Sequence, residues 1–200
     1  MIYIDDKIQQ YSTEEIVTWM TELPQWRREK VMSYKHDTQR RQSLLAFRLL
    51  CRGLHGEYGI TTPPEFTYNE HGKPYLSGAW SVEHGERDVS SIHFSLSHCR
   101  EAVACVINEQ PCGIDIESTG RRVSDSIIRY SMNDEEQAEI AHAENPTQTF
   151  LRLWTRKEAV LKLIGTGIRD DMKDILVGCP YDIETRETER YIVSIAVSRA

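Results

Sequence analysis

The segment Gly113-Ile114-Asp115-Ile116-Glu117 places two carboxylates two residues apart in a stretch that is otherwise apolar. Alternate side chains of a β-strand share a face, so a strand here puts Asp115 and Glu117 on the same side. Neighbouring carboxylates repel each other, and a divalent cation relieves that repulsion; Mg²⁺ is commonly held by one or two carboxylates together with substrate phosphates and water. On this segment alone, a strand face with two solvated acids is the simpler alternative, because D-x-E is a common pattern.

A second charged group lies within a segment that has the apolar spacing of an amphipathic helix. Its apolar stripe comprises Phe150, Leu153, Trp154, Leu161 and Ile164. At about 100° per residue, Lys157 falls inside this stripe, where it either snorkels to the surface or has a function. Glu158 and Lys162 lie one turn apart at its edge and can form a surface ion pair worth about 0.2–0.5 kcal/mol. Alternatively, a third carboxylate and two lysines beside a metal ion would suit a diphosphate.

Ser97 and His98 end an apolar segment that begins at Ile92. Adjacent strand residues point to opposite faces, which argues against a nucleophilic relay between this serine and this histidine. A phosphate contact by His98 and a structural histidine remain the two alternatives. The sequence Gly72-Lys73-Pro74 predicts a tight turn, since it lacks the glycine spacing of a phosphate-binding P-loop.

The elements that must position these residues alternate between helical and strand patterns along the chain. Ser12 and Glu15 predict a capping box that opens a helix to Leu23, and Gly59 is expected to end a longer helix from Asp37 to Tyr58. The predicted strands are Met1–Ile4, Phe66–Tyr68, Ile92–Ser97, Ala102–Ile107, Cys112–Glu117, Asp174–Gly178 and Tyr191–Ser198, and the polar stretch Gly78–Ser90 is predicted to be a loop.

This order predicts an α+β (α/β) protein built from two similar halves, residues 1–108 and 109–200, within one compact unit. No sequence identity between the halves demonstrates a duplication.

The composition is that of a globular protein, with 40% hydrophobic and 28% charged residues in 200. No window approaches the roughly 18 consecutive apolar residues of a membrane span, and the first residues lack the pattern of a signal peptide. Five scattered cysteines without a C-x-x-C motif favour reduced thiols and a cytoplasmic location. The formal charge of −7 argues against a general nucleic-acid binder.

Charge is unevenly distributed along the chain. Eight cations and two anions lie between Pro24 and His55. This basic segment suggests a local site for phosphates or for an acidic partner, although for the charge run alone a solvated helical face is the simpler explanation.

Taken in order, these motifs resemble the 4′-phosphopantetheinyl transferase superfamily, and most closely its monomeric surfactin-synthetase-activating (Sfp-like) type. The matching segments are H-G-K-P at 71–74, F-S-L-S-H at 94–98, G-I-D-I-E at 113–117 and L-W-T-R-K-E-A at 153–159, followed by Lys162 and Gly165. The resemblance spans the chain from about Lys35 to Gly167. It implies a fold of two pseudo-two-fold-related halves, with the nucleotide of coenzyme A on the first half and metal and phosphates on the second.

The resemblance implies a metal site and the residues around it. Asp115, Glu117 and Glu158 match the family's ligands for Mg²⁺, or for Mn²⁺ in its place. Glu158 also matches the candidate base that takes the proton of the acceptor serine, directly or through a water. Lys162 and His98 match the residues on the coenzyme A phosphates.

Further positions match the family's contacts to coenzyme A. Ser97 adjoins the phosphate contact, Lys157 is grouped with Lys162, and Lys73 with Pro74 matches the turn that lines the adenine and 3′-phosphate pocket. Lys35 and Arg40 or Arg41 lie where the family places cations for the 3′-phosphate. The spacing after Lys35 is longer than in the family's best-known members.

The implied reaction transfers 4′-phosphopantetheine from coenzyme A to a serine of an apo acyl- or peptidyl-carrier protein and releases 3′,5′-ADP. A locally basic surface, including Arg27, Arg28, Arg121 or Arg122, is expected to attract the acidic carrier. Neither a nucleic acid nor a membrane is an expected partner, and the protein is expected to be a monomer. Two other classes are an Mg²⁺-dependent hydrolase of a nucleotide or coenzyme A and a carrier-binding protein without activity. The complete set of acids with Lys162 speaks against the second.

Overall fold

The computed structural model describes residues 1–77, 79–82, 85–89, 91–167 and 170–199. Its first half contains β1 (Ile2–Asp5), α1 (Thr13–Glu22), α2 (Gln25–Met32), α3 (Asp37–Tyr58), β2 (Glu65–Tyr68), β3 (Pro74–Ser77), β4 (Ala79–Val82), β5 (Gly85–Asp88), β6 (His93–His98) and β7 (Val103–Asn108). Its second half contains β8 (Cys112–Ser118), α4 (Asp125–Ser131), α5 (Asp134–His142), α6 (Pro146–Ile164), a 3₁₀ helix (Asp170–Asp174), β9 (Asp182–Glu187) and β10 (Tyr191–Val197).

Local sequence signals fix the ends of several helices. Ser12 accepts a hydrogen bond from the main-chain N–H of Glu15, whose carboxylate accepts from the N–H of Ser12, so the predicted capping box opens α1. Asn133 and Glu136 form the same arrangement at the start of α5. At the C-terminal end of α3, Gly59 adopts φ +67°, as predicted for the residue that ends this helix.

Two antiparallel three-stranded sheets form the framework, with strand orders β1-β7-β6 and β8-β10-β9. Helix α3 packs on β7 of the first sheet, and α6 packs on β8 and β10 of the second. Each helix presents its apolar stripe to its sheet, and the apolar residues of β7, β8 and β10 pack together in a core shared by both sheets. The predicted α+β class is confirmed, whereas the pseudo-two-fold relation between the halves and their boundary at 108/109 remain predictions.

The two sheets meet along β6 and β8, where serine side chains bridge the strands. The hydroxyl of Ser95 accepts from the main-chain N–H of Ile114 at 3.2 Å, and that of Ser97 accepts from the N–H of Ile116 at 3.3 Å. Because both partners advance by two residues in the same direction, β6 and β8 run parallel along this seam. Buried N–H groups that have no strand neighbour are thereby satisfied by side chains.

Helix α6 lies unusually close to β8 at Gly113. A Cβ atom on Gly113 would lie 2.0 Å from the carbonyl oxygen of Ala159 and 2.5 Å from the nitrogen of Leu163. Only glycine allows the two backbones to approach this far. The contact sets α6 directly beside the strand that carries Asp115 and Glu117.

Two sequence predictions about secondary structure are wrong. The predicted loop Gly78–Ser90 contains the paired strands β4 and β5, while Gly78, Glu83, His84 and Ser90 lie outside the described residues. The predicted strand Asp174–Gly178 is instead the end of the 3₁₀ helix and a turn, in which Gly178 has φ +62°. Its apolar residues Ile175 and Leu176 pack against the core from that turn, and β9 begins later, at Asp182.

Among the described residues, no helix is both long and apolar enough to cross a lipid bilayer.

Candidate functional site

A cluster of charged side chains lies where α6 faces the β6–β8 seam. The Lys162 ammonium donates to Asp115 Oδ1 at 2.7 Å and to Ser97 Oγ at 2.9 Å, and Ser97 Oγ donates to the same carboxylate oxygen at 2.8 Å. Asp115 is only 6% exposed. A lysine from a helix and a serine from a neighbouring strand therefore hold one oxygen of a buried carboxylate.

Two carboxylate oxygens of this cluster have no hydrogen-bond donor. Asp115 Oδ2 and Glu158 Oε1 are buried and lack a partner. Burial raises the pKa of Glu158 to about 7, and the negative charges of Asp115 and Glu117 add to the effect against the opposing charge of Lys162. A buried acceptor without a donor is costly, so these oxygens are suited to contact a cationic ligand.

Glu117 lies in the same cluster and has its own cation. Arg121 forms an ion pair with the Glu117 carboxylate, and its guanidinium stacks 5.0 Å from the ring centre of Trp154. Burial, followed by the charge of Asp115, raises the pKa of Glu117, although Arg121 opposes this shift. Trp154 also favours the charged form of Glu117 and so lowers its pKa slightly.

The donor set fits a hard divalent cation. Carboxylate oxygens are the ligands that Mg²⁺ prefers, and Asp115, Glu117 and Glu158 are three such groups of which two carry a buried oxygen without a donor. In the described parts of the chain, no three His, Cys, Asp or Glu side chains already stand in a ligating arrangement. Lys162 and Arg121 instead supply positive charge to Asp115 and Glu117.

A cavity of about 260 Å³ opens beside the charged cluster. The turn from His71 to Pro74 forms one wall, and Glu158 and Lys162 on α6 form another. Ser95 and its neighbours on β6 complete the lining. The cavity therefore lies between the first half of the chain and the helix that carries two of the charged residues.

His98 lies at the end of β6 and is exposed to solvent. Desolvation of the imidazole ring by neighbouring protein atoms lowers its pKa most, and the charge of Lys162 lowers it further. The charge of Asp115 opposes this shift. The structure thus brings His98 into the electrostatic reach of Lys162 and Asp115. A neutral imidazole beside a lysine can donate a hydrogen bond to an anion without adding a second full charge.

Comparison with known proteins relates this arrangement to one enzyme superfamily. Residues 111–195 match the model of the 4′-phosphopantetheinyl transferase superfamily, a range that contains both acidic motifs and α6. The chain is 28% identical over 170 residues to the 4′-phosphopantetheinyl transferase Sfp of Bacillus subtilis (strain 168), which covers 84% of this chain and 70% of the relative. Residues 111–195 of the chain are thus similar to the 4′-phosphopantetheinyl transferase superfamily.

Other superfamily members match over shorter ranges. The 4′-phosphopantetheinyl transferase gsp of Aneurinibacillus migulanus is 33% identical over 108 residues, 52% of this chain and 39% of the relative. AcpT of Escherichia coli O157:H7 is 28% identical over 132 residues, 63% of this chain and 59% of the relative. The chain thus spans 70% of Sfp, 39% of gsp and 59% of this AcpT.

The lysine of the G-K-P turn contacts the end of α6. Lys73 Nζ donates to the carbonyl oxygen of Leu163 at 2.6 Å, and burial lowers the pKa of this lysine. Lys73 and Pro74 both line the cavity, and their contact with coenzyme A stays a prediction. The second role of Lys73, at the end of α6, has no signal in the sequence.

Lys157 is placed away from the cavity, which corrects its grouping with Lys162. It is 0% exposed, and its ammonium forms an ion pair with Glu136 at 2.6 Å. It also donates to the carbonyl oxygens of Ser131, Met172 and Lys173. Lys157 therefore joins α6 to α4, α5 and the 3₁₀ helix, and neither snorkelling nor a phosphate contact describes it.

The three N-terminal cations are not among the described residues that line the cavity. Arg40 donates to Asp37 at 2.9 Å in the first turn of α3, and Arg41 donates to two main-chain oxygens before α1 at 2.9 and 3.0 Å. Lys35 is exposed just before α3. Their contact with a 3′-phosphate stays a prediction, and both arginines already stabilise the local fold.

Three features of the site were not identified from the sequence. Ser95 bridges the seam, Trp154 contacts Glu117, and Arg121 neutralises that acid instead of standing free on a basic surface. The alternation of two serines in F-S-L-S-H is a signal for the first. An arginine four residues after Glu117 is a signal for the last.

Proposed function

We propose that this protein transfers the 4′-phosphopantetheine arm of coenzyme A to a serine hydroxyl of an acyl- or peptidyl-carrier protein, with 3′,5′-ADP as the second product. The observation that carries the proposal is the acidic cluster beside the cavity, in which Asp115 and Glu158 each have a buried oxygen without a donor. Members of the superfamily that resemble the chain are named for this transferase activity.

Asp115, Glu117 and Glu158 would hold the metal ion, Mg²⁺ or in its place Mn²⁺. When bound there, the ion would polarise the diphosphate and offset its charge. The residues of the chain supply the rest. Lys162 and His98 stand beside the acids and can donate to phosphoryl oxygens as negative charge develops on them.

The reaction balances as a displacement at phosphorus. The serine oxygen bonds to the β-phosphorus, which bears the pantetheine arm, while the bond from that phosphorus to the bridging oxygen breaks. The bridging oxygen leaves with 3′,5′-ADP. The serine proton would pass to Glu158, directly or through a water, since Glu158 lines the cavity in which the serine would meet the diphosphate.

We further propose that residues 1–108 contact the nucleotide and residues 109–200 hold the metal and phosphates. Lys73 and Pro74 on the first side and Glu158 and Lys162 on the second line the same cavity, which supports this division. The physiological partner is proposed to be a small acidic carrier domain, and the protein is proposed to act as a monomer in the cytoplasm, where coenzyme A and reduced thiols coexist.

The test is the intact mass of several apo carrier proteins after incubation with the protein, coenzyme A and Mg²⁺. We expect a gain of one phosphopantetheine that is lost with EDTA and when the acceptor serine is changed to alanine. Asp115→Asn is expected to abolish the gain, because it removes a charged ligand from the buried cluster. Asp182→Asn is the matched control, since Asp182 is an exposed acid on β9 that pairs with Arg199.

Other outcomes separate the competing functions. Release of 3′,5′-ADP without a carrier would indicate a hydrolase, and coenzyme A binding without modification of any carrier would favour a binding protein. Full activity of Asp115→Asn at ordinary Mg²⁺ would overturn the site assignment even if the wild type modifies a carrier.

A further inference from the structure

The turn between β2 and β3 is organised by the side chain of Asn69. Its Oδ1 accepts hydrogen bonds from the main-chain N–H groups of His71 at 3.0 Å and Lys73 at 2.8 Å. The main chain of Asn69 also bonds to Lys73 and Gly72, and Gly72 adopts φ +82°. Because two N–H donors converge on Oδ1, the amide nitrogen must point the other way.

That amide nitrogen contacts the end of α6. Asn69 Nδ2 donates to the carbonyl oxygen of Gly165 at 2.8 Å, next to the bond from Lys73 Nζ to the carbonyl of Leu163. Carbonyls at the end of a helix have no partner within the helix, so donors from elsewhere must satisfy them when they are covered. The turn supplies two such donors.

The turn and the helix end also fit closely. Gly165 adopts φ +80°, and a Cβ atom there would lie 2.7 Å from Lys73 Cδ and 3.2 Å from Asn69 Nδ2. A larger residue at 165 would push the turn away from the helix. The contact is therefore a specific junction between the first half of the chain and α6.

The junction adjoins the cavity on both sides. The turn contributes Lys73 and Pro74 to its lining, and the last two turns of α6 contribute Glu158 and Lys162. The distance between these walls depends on how the turn sits on the helix. The C-terminal end of a helix also carries partial negative charge, which the two donors from the turn offset beside a cavity proposed to receive a polyanion.

We propose that Asn69 is a positioning residue for coenzyme A, which sets the separation of the two cavity walls by joining the β2–β3 turn to the end of α6. This inference rests on the proposed function for its ligand, but the junction itself does not. Asn69 touches neither the acidic cluster nor the reacting atoms in this arrangement.

Asn69→Asp separates the two roles of the side chain. Aspartate keeps the acceptor for His71 and Lys73, so the turn is preserved, but it replaces the donor to Gly165 with an oxygen that repels the carbonyl. Asn108→Asp is the matched control, because Asn108, at the end of β7, accepts one main-chain N–H, that of Gln110, in the turn that follows. Asn69→Ala removes both the acceptor and the donor, and its loss of stability relative to Asn69→Asp shows what the hydrogen bonds within the turn contribute.

The first measurement is amide hydrogen exchange of the ligand-free proteins. We expect Asn69→Asp to lose protection at the C-terminal turn of α6, around residues 161–165, while protection in β2 and β3 is retained and Asn108→Asp matches the wild type there. Unchanged protection at the end of α6 would overturn the junction whatever the protein catalyses.

The second measurement is the kinetics of carrier modification. We expect Asn69→Asp to raise the KM for coenzyme A by about tenfold, equivalent to about 1.4 kcal/mol, with kcat within about threefold of the wild type. If kcat instead falls only in proportion to the folded fraction and the KM for coenzyme A is unchanged, Asn69 has a structural role alone. That outcome would overturn the positioning role. If the wild type does not bind coenzyme A at all, the proposed function fails, and the exchange result still decides the junction.

Discussion

At the scale of single residues, burial and opposing charges determine the pKa of Glu158 in the acidic cluster. Asp115 and Glu117 raise its pKa, and Lys162 and Arg121 lower it, but burial is the largest influence and leaves the pKa at about 7. Without a bound cation, the protein therefore folds around a carboxyl group that resists ionisation. The same group would be a favourable ligand once a divalent ion offsets its charge.

This arrangement predicts a pH-dependent stability in the presence of EDTA. The pKa of Glu158 is about 7 in the folded protein against 4.5 for an unperturbed glutamate. The folded state binds the Glu158 proton more tightly than the unfolded state does. The stabilisation that results is fully present below about pH 4.5 and is lost as pH rises through 7. Glu158→Gln should not show this loss of stability at high pH. Its free energy of unfolding should exceed that of the wild type by about 1–3 kcal/mol at pH 8 and differ little from it at pH 5.

Urea denaturation of both proteins at pH 5, 6, 7 and 8 checks this prediction. Asp115, Glu117, Lys162, Arg121 and His98 are common to both, so the difference between the curves isolates Glu158. Glu184→Gln serves as control, because Arg186 lowers the pKa of that exposed acid and its loss cannot favour the variant at high pH. Parallel curves for wild type and Glu158→Gln would contradict the prediction.

At the scale of elements, the position of α6 depends on Gly113 of β8. The acidic residues of the strand and those of the helix come together because the two backbones nearly touch there. The motif G-I-D-I-E thus combines a packing requirement with two chemical groups. Its glycine is needed for the helix to reach the carboxylates.

Gly113→Ala should displace α6 from β8. The new Cβ would meet main-chain atoms, which cannot rotate away, so we expect a loss of about 1–3 kcal/mol in stability and a larger fractional loss of carrier modification. Urea denaturation and the carrier mass assay measure the two effects. Gly56→Ala in α3 is the control, since its Cβ meets nothing within 4 Å and alanine favours a helix. Equal stability of the two variants would show that the close approach is not required.

The sequence predicts these elements unevenly, for physical reasons. Helix ends such as Ser12 and Gly59 are set by residues next to them, and Asp115, Glu158 and Lys162 are recognised because their motifs occur in a characteristic order. Lys157 is different. Its partners lie 15 to 26 residues away in sequence, and no local pattern reveals that its charge is neutralised inside the core.

At the scale of the whole molecule, the two sheets are joined along a seam without main-chain pairing between β6 and β8 among the described residues. Ser95 and Ser97 supply the acceptors for the strand N–H groups there. Ser97 additionally contacts Asp115 and Lys162, so one hydroxyl serves both the join and the charged cluster.

Replacing each serine by alanine should separate these two roles. Both variants leave a buried N–H without an acceptor, and we expect each to lose about 1–3 kcal/mol in stability. Ser97→Ala also removes a hydrogen bond of Lys162, so its kcat should fall by about tenfold, against less than about threefold for Ser95→Ala. Denaturation and kinetics on the folded fraction test this pair. Equal kcat values would mean that the hydroxyl of Ser97 does not position Lys162.

The five cysteines are all free, and their burial has a consequence for the proposed co-substrate, which ends in a thiol. Burial raises the pKa of Cys51 to about 12 and of Cys112 to about 11, and it raises that of Cys99 and Cys105 as well. Since the thiolate is the species that exchanges with disulfides, these four positions resist mixed disulfide formation with oxidised coenzyme A. The fifth, Cys179, is half-buried against the packing of α6 on β10. An enzyme that takes coenzyme A as proposed would thus keep four of its five thiols out of that chemistry.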